Sequence, residues 1–118
     1  MTASSEDDTK RKRPPRLSKE VILQIATRAG FPDPRVATAI ALAESGGNPA
    51  ARLNTTREDS VGLWQINTRK HPYTPEEMVD PIKNAAAAFQ ISNKGTNWRP
   101  WSTYKTGSYR KFLTGVLA

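Results

Sequence analysis

At 118 residues the chain has room for one domain, which buries roughly two thirds of the surface its unfolded form exposes. The absence of cysteine excludes disulfides and thiolate metal sites, and a lone histidine, His71, leaves no cluster for a catalytic zinc, so neither metal nor cofactor is expected. A formal charge of +7 calls for a polyanionic partner: nucleic acid, an anionic membrane surface or an acidic wall polymer.

Residues 1–17 join an acidic patch to Lys10-Arg11-Lys12-Arg13 and Pro14-Pro15, a composition that cannot bury apolar surface and predicts a disordered basic arm. Its expected role is an electrostatic tether or a solubilising tail. It holds five Lys/Arg against three Asp/Glu, so the domain expected over residues 18–118 is basic in its own right. The N-terminus lacks an apolar h-region and no apolar run approaches the length of a membrane span, so neither a secretion signal nor a transmembrane segment is expected.

Ser18 reads as an N-cap, after which Val21, Ile22, Ile25, Ala26 and Ala29 repeat with helical spacing until Gly30. Asp33-Pro34 opens a second helix that runs to about Ser45, where Gly46-Gly47 and Asn48-Pro49 end it. Residues 50–59 read as a polar loop. From Val61 to Asn67 the side chains alternate, with Val61, Leu63, Gln65 and Asn67 on one side and Gly62, Trp64 and Ile66 on the other, which predicts a short strand or extended turn.

Thr74-Pro75-Glu76-Glu77 has capping-box spacing and predicts a brief turn through Met78. Asp80-Pro81 then opens a third long helix with an apolar stripe of Ile82, Ala85, Ala86 and Phe89, ending near Lys94-Gly95. Trp98, Trp101 and Tyr104 fall in a loop-rich segment, and Ser108 opens a last helix that turns Tyr109, Phe112, Leu113 and Val116 toward the core. The predicted class is mainly α, an α+β arrangement in which a small β element follows the second helix.

The chemistry centres on Glu44. Val36, Ile40 and Glu44 stack at successive i+4 positions, so this carboxylate closes an apolar run and shares its face with the core. Desolvation there raises a carboxyl pKa, the property a general acid needs near neutral pH. The alternative is a helix C-terminal carboxylate reaching solvent, a placement the macrodipole disfavours.

Three segments, E-S-G-G-N-P at Glu44 to Pro49, V-G-L-W-Q-I-N at Val61 to Asn67 and W-x-x-Y-x-x-G-x-Y at Trp101 to Tyr109, occur in an order and spacing that resembles the lysozyme-like superfamily. The resemblance is to soluble lytic transglycosylase domains and phage-encoded lysozymes in particular, and it spans about Ser18 to Leu117. It implies a helical domain with a substrate cleft beside a small β region. It also implies as substrate the β-1,4-linked glycan of peptidoglycan, cut between N-acetylmuramic acid and N-acetylglucosamine.

Breaking that bond requires protonation of a poor alkoxide leaving group, a role that fits Glu44. Hen-type members carry an aspartate two positions before the strand glycine; here Ser60 stands there, and Asp59 lies one residue further back. A one-residue displacement in an extended segment turns a side chain to the opposite side. The resemblance gives Ser60 the place of the serine in transglycosylase-like members, which work with one acid and the acetamido group of the substrate. Asp59 and Glu58 remain the candidate second carboxylates.

Gln65 and Asn67 offer paired donors and acceptors for sugar hydroxyls and N-acetyl groups, or else anchor the loop. Trp98, Tyr73 and Tyr104 supply flat rings for pyranose faces, while Trp64 and Trp101 are read as core. Tyr104-Lys105-Thr106-Gly107 resembles the Tyr-Asn-x-Gly segment of the family with lysine in place of asparagine. His71 reads as a surface imidazole, since no nucleophile elbow or serine motif offers it a triad with Asp80.

The expectation is a monomeric peptidoglycan-cleaving glycosidase, a muramidase or a lytic transglycosylase. Its basic surface would hold it on anionic wall polymers, after delivery by lysis, a holin-type pore or a virion. Two rivals stay open: a wall-binding or virion module without turnover, and a nucleic-acid binder using Lys10 to Arg16 and the basic face, which the catalytic stretch disfavours.

Overall fold

Capping chemistry sets the helix boundaries. Helix α1, Lys19–Ala29, starts where Ser18 Oγ accepts the Val21 N–H and stops at Gly30, whose φ of 101° lies where a side chain is disfavoured. Helix α2, Pro34–Ser45, begins behind Asp33, which accepts the Val36 N–H, and ends on left-handed Gly46. These boundaries and those of the capping-box turn α3, Pro75–Met78, match the expectations. The computed structural model describes residues 16–117, so the predicted arm through residue 15 lies outside the described residues. Arg16 and Leu17, assigned to that arm, are tied to the end of α2: Arg16 Nη1 donates to Gly46 O at 3.0 Å and the Leu17 N–H to Gly47 O at 2.8 Å.

The β region is larger than the one short strand or extended turn expected. Three short strands, β1 (Arg52–Asn54), β2 (Asp59–Val61) and β3 (Ile66–Asn67), form an antiparallel sheet in the order β1-β2-β3. Leu53 faces Ser60 across the first pair, and Ser60 faces Asn67 across the second. The segment 50–59 therefore contains a strand that its polarity hid. Val61 to Asn67 reverses direction midway because Gly62 and Gln65 take φ of 87° and 48°. The Gln65 N–H closes this turn on Gly62 O at 3.0 Å. Alternation fails there, and Val61, Leu63, Trp64 and Ile66 are all buried together.

Asn84 holds that turn. It lies on α4, Pro81–Ile91, and is fully buried with every polar group of its side chain paired. Nδ2 donates to Val61 O and Met78 O, both at 2.8 Å, and Oδ1 accepts the Trp64 N–H at 2.8 Å. Its presence rotates the buried face of α4 to Asn84, Ala85, Ala87 and Ala88. Ile82 and Ala86, expected in the apolar stripe, are exposed. The helix ends at Ile91, earlier than expected, because Asn93, Lys94 and Gly95 all take positive φ.

Trp64 sits where the layers meet. It is fully buried, its Nε1 donates to Ala37 O on α2 at 3.0 Å, and its ring stacks on Phe31. Trp101 Nε1 in turn donates to Trp64 O at 2.8 Å, which anchors the chain entering helix α5, Ser102–Lys105. Helix α6, Arg110–Leu117, starts two residues after the expected Ser108 and packs on α2. Tyr109, just before it, and Phe112, Leu113 and Val116 within it are half-buried. The class is as expected, mainly helical with a small antiparallel sheet, and among the described residues no helix is long and apolar enough to cross a membrane.

Candidate active site

The last turn of α2 brings Glu44 to a cleft of about 680 Å³ that the sheet and α5 also line. Glu44 is half-buried. Burial raises its pKa above the ordinary carboxylate value and outweighs two opposing hydrogen bonds from Thr103, while the nearby Glu58 carboxylate adds a smaller upward push. Thr103 Oγ1 donates to Glu44 Oε2 at 2.8 Å.

Thr103 carries no sequence signal for this role, because 59 positions separate it from the acid. Its hydroxyl stabilises the ionised carboxylate, so replacing Thr103 with Val is expected to raise the Glu44 pKa further. The alkaline limb of the pH–rate profile should then move to higher pH. Turnover at the optimum should fall about tenfold, the effect of roughly 1.4 kcal/mol of lost positioning. An unmoved alkaline limb would remove Thr103 from the site.

The two candidate second carboxylates separate cleanly. Both Asp59 oxygens are taken by Arg52, Nε to Oδ1 at 2.8 Å and Nη2 to Oδ2 at 2.7 Å, and these bonds hold the carboxyl below its ordinary pKa. Asp59 does not line the cleft; its neighbours Glu58 and Ser60 do. That is the side alternation of an extended segment. Ser60 Oγ donates to Glu58 Oε2, so the structure brings Glu58, Ser60 and Glu44 to one cavity and leaves Asp59 in an ion pair.

Gln65 and Asn67 both reach the cleft, by way of the turn and not along a common strand face. Gln65 Nε2 donates to Ala51 O at 2.9 Å and Gly62 O at 3.1 Å, and Asn67 Oδ1 accepts from the Asp59 and Arg69 N–H groups at 3.1 Å each. Half of each amide therefore anchors the β region. Gln65 Oε1 and Asn67 Nδ2 take no part in the described hydrogen bonds and remain for a ligand.

The three aromatic candidates lie away from the cleft lining. Trp98 is buried, stacked on Phe31 at 5.2 Å and edge-on to Trp101 at 4.9 Å. Tyr73 lines a separate pocket of about 250 Å³, and Tyr104 stacks on Tyr109 at 5.2 Å. None of the three lines the cleft: Trp98 is enclosed by other rings, while Tyr73 and the exposed Tyr104 sit elsewhere on the surface. Its apolar wall comes instead from Leu53, Ile66, Ile91 and Trp101. His71, read as a surface imidazole, also lines it, and burial aided by Lys70 holds its pKa below the ordinary histidine value. Among the described residues no group of three or more His, Cys, Asp or Glu is gathered to hold a metal ion.

A half-buried acid of raised pKa, hydrogen-bonded from α5 and facing a sheet edge across a groove, is equipped to protonate a leaving oxygen. A family model described as a lysozyme-like domain matches residues 23–103. No curated protein and no solved structure matches the chain. The matched residues take in Glu44, the whole sheet and Thr103, and with most of its length inside them the chain belongs to the lysozyme-like domain family, whose members generally act on peptidoglycan.

Proposed function

We propose that the protein cuts the β-1,4 bond between N-acetylmuramic acid and N-acetylglucosamine in peptidoglycan, with Glu44 as general acid and then general base. The observation that supports this most is the pairing of a raised carboxyl pKa with a donor, Thr103, that favours the ionised form. Glu44 gives its proton to the bridging oxygen as that bond breaks and positive charge grows on the sugar ring. Thr103 Oγ1 then steadies the resulting carboxylate until it accepts a proton from the incoming hydroxyl.

With Asp59 held by Arg52, the reading that fits best is single-acid chemistry. The acetamido oxygen of the substrate bonds to the anomeric carbon, and an incoming hydroxyl then displaces it. Ser60, Gln65 Oε1 and Asn67 Nδ2 are the groups proposed to orient the N-acetyl arms. Glu58 enters as the acceptor that orients the Ser60 hydroxyl.

The test is mass analysis of material released from purified peptidoglycan by the intact protein. Soluble muropeptides are expected. Reducing ends identify water as the incoming hydroxyl, and anhydro ends identify the 6-hydroxyl of the sugar. Protein that sediments with the wall and releases no fragments would overturn the reading in favour of a binding module.

A further inference from the structure

The turn that carries Glu44 is held from outside by residues far from it in the chain. Ser45, the last residue of α2, is followed by Gly46 and Gly47, both with positive φ. The final carbonyls of a helix have no partner within it. Here Arg16 Nη1 donates to Ser45 O at 3.4 Å and to Gly46 O at 3.0 Å, and the Leu17 N–H donates to Gly47 O at 2.8 Å. Ser45 O also accepts the Asn48 N–H, but Gly46 O and Gly47 O take no other donor among the described hydrogen bonds.

The fit is close. A Cβ on Gly46 would stand 2.5 Å from Arg16 Nη1, and one on Gly47 would stand 2.7 Å from Leu17 O, so the two glycines leave the space that residues 16 and 17 occupy. Leu17 packs against the core on its other side, and Arg16 sets a positive charge at the negative end of the α2 macrodipole. Both residues precede the stretch 23–103 that the family model matches, so membership of the family does not assign this contact.

We infer that Arg16, aided by Leu17, is a positioning residue for the proposed reaction: it straps the last turn of α2 and so fixes where Glu44 presents its proton. Neither residue lines the cleft, and Arg16 acts only through the backbone of that turn. A shift of about 1 Å in a reacting group costs up to about 10²-fold in rate. The raised pKa of Glu44 comes from burial, Thr103 and Glu58 and not from Arg16. Loss of the strap should therefore lower the plateau of the pH–rate profile and leave its alkaline limb in place, unlike Thr103→Val. This role rests on the proposed glycosidase reading, but hydrogen exchange tests the strap separately from turnover.

The experiment uses the full chain with Arg16→Ala or Arg16→Lys, and Lys19→Ala as the control. Lys19 Nζ donates to Gly115 O at 2.8 Å, so the control removes a bond of the same kind between α1 and α6 and leaves the end of α2 untouched. Both kcat and KM are measured on soluble glycan strands at a temperature where thermal melts show every variant folded. Amide hydrogen exchange is read at Gly46, whose N–H bonds to Leu42 O at 2.8 Å.

Arg16→Ala is expected to lower kcat about tenfold with KM unchanged, and to speed exchange at Gly46 about tenfold. Arg16→Lys, still able to donate to one carbonyl, should recover part of the lost kcat. Lys19→Ala should lose thermal stability alone. A kcat for Arg16→Ala within about twofold of wild type, a loss matched by Lys19→Ala, or no recovery in Arg16→Lys would overturn the inference. If the wild-type protein releases no fragments, the glycosidase reading falls and exchange at Gly46 still decides the strap. Faster exchange in Arg16→Ala alone upholds it, and equal rates in all variants reject it.

Discussion

Replacing Glu44 with Gln is expected to lower release of soluble muropeptides by about 10²- to 10⁴-fold, the usual contribution of a positioned general acid. The amide keeps the size of the side chain and can still accept from Thr103, so the loss should fall on turnover with little change in substrate affinity. Stability supplies a second readout with a fixed sign. The folded-state pKa of Glu44 is raised, so on raising pH the unfolded chain gives up this proton first. Between the two pKa values the folded state binds more protons, and stability falls with pH until the folded-state pKa is passed. Gln has no proton to lose. The variant should match wild type in acid and exceed it above the raised pKa, as read by thermal melts across pH. A folded variant that still clears peptidoglycan at more than about a tenth of the wild-type rate would end the catalytic assignment.

The largest effect on folding is expected at Gly62. Its φ of 87° disfavours any side chain, and an added Cβ would overlap Asn84 Nδ2 and Met78 O. Gly62→Ala must therefore break the Asn84 bonds to Val61 O and Met78 O as well as strain the backbone, at about 1–3 kcal/mol for each buried polar group left unpaired. The sum, about 3–5 kcal/mol, is a large share of the 5–15 kcal/mol that holds a domain of this kind folded. Urea unfolding should show a much lower midpoint or no folded baseline. A loss below about 1 kcal/mol would mean that Asn84 does not clamp the turn.

The same turn marks where local reading of the sequence fails. From Val61 to Asn67 the residues fit a strand as judged by alternation, yet Gly62 offered the contrary sign, since an isolated glycine in a strand pattern often marks a bulge or a close backbone approach. What decides between the two is Asn84, which is more than twenty positions from Val61 and bonds to its carbonyl. In the α4 stripe the error has the same origin: a buried Asn has no place in an apolar repeat, so the pattern was phased on Ile82, which is exposed.

Site residues divide in the same way. The partial burial of Glu44 was legible because its place after Val36 and Ile40 is a local, periodic fact. The separation of Glu58 from Asp59 follows from alternation in an extended segment once its register is known. That Trp98 lies among other rings and Tyr73 in a separate pocket is set by packing, which an aromatic residue in the sequence does not reveal.

The sequence by itself determined the class of fold, the capped ends of the first two helices, the half-buried carboxyl of Glu44 and the basic charge, all of which depend on spacing, capping chemistry or charge within a few residues. Only the tertiary structure decided that Thr103 donates to Glu44, that Arg52 takes both oxygens of Asp59, that Asn84 holds the turn in the β segment, and that Glu44, Glu58 and Ser60 line one cleft. Those are contacts between residues far apart along the chain, and a hydrogen bond or shared cavity formed at such separation leaves no periodic trace in the amino acids between.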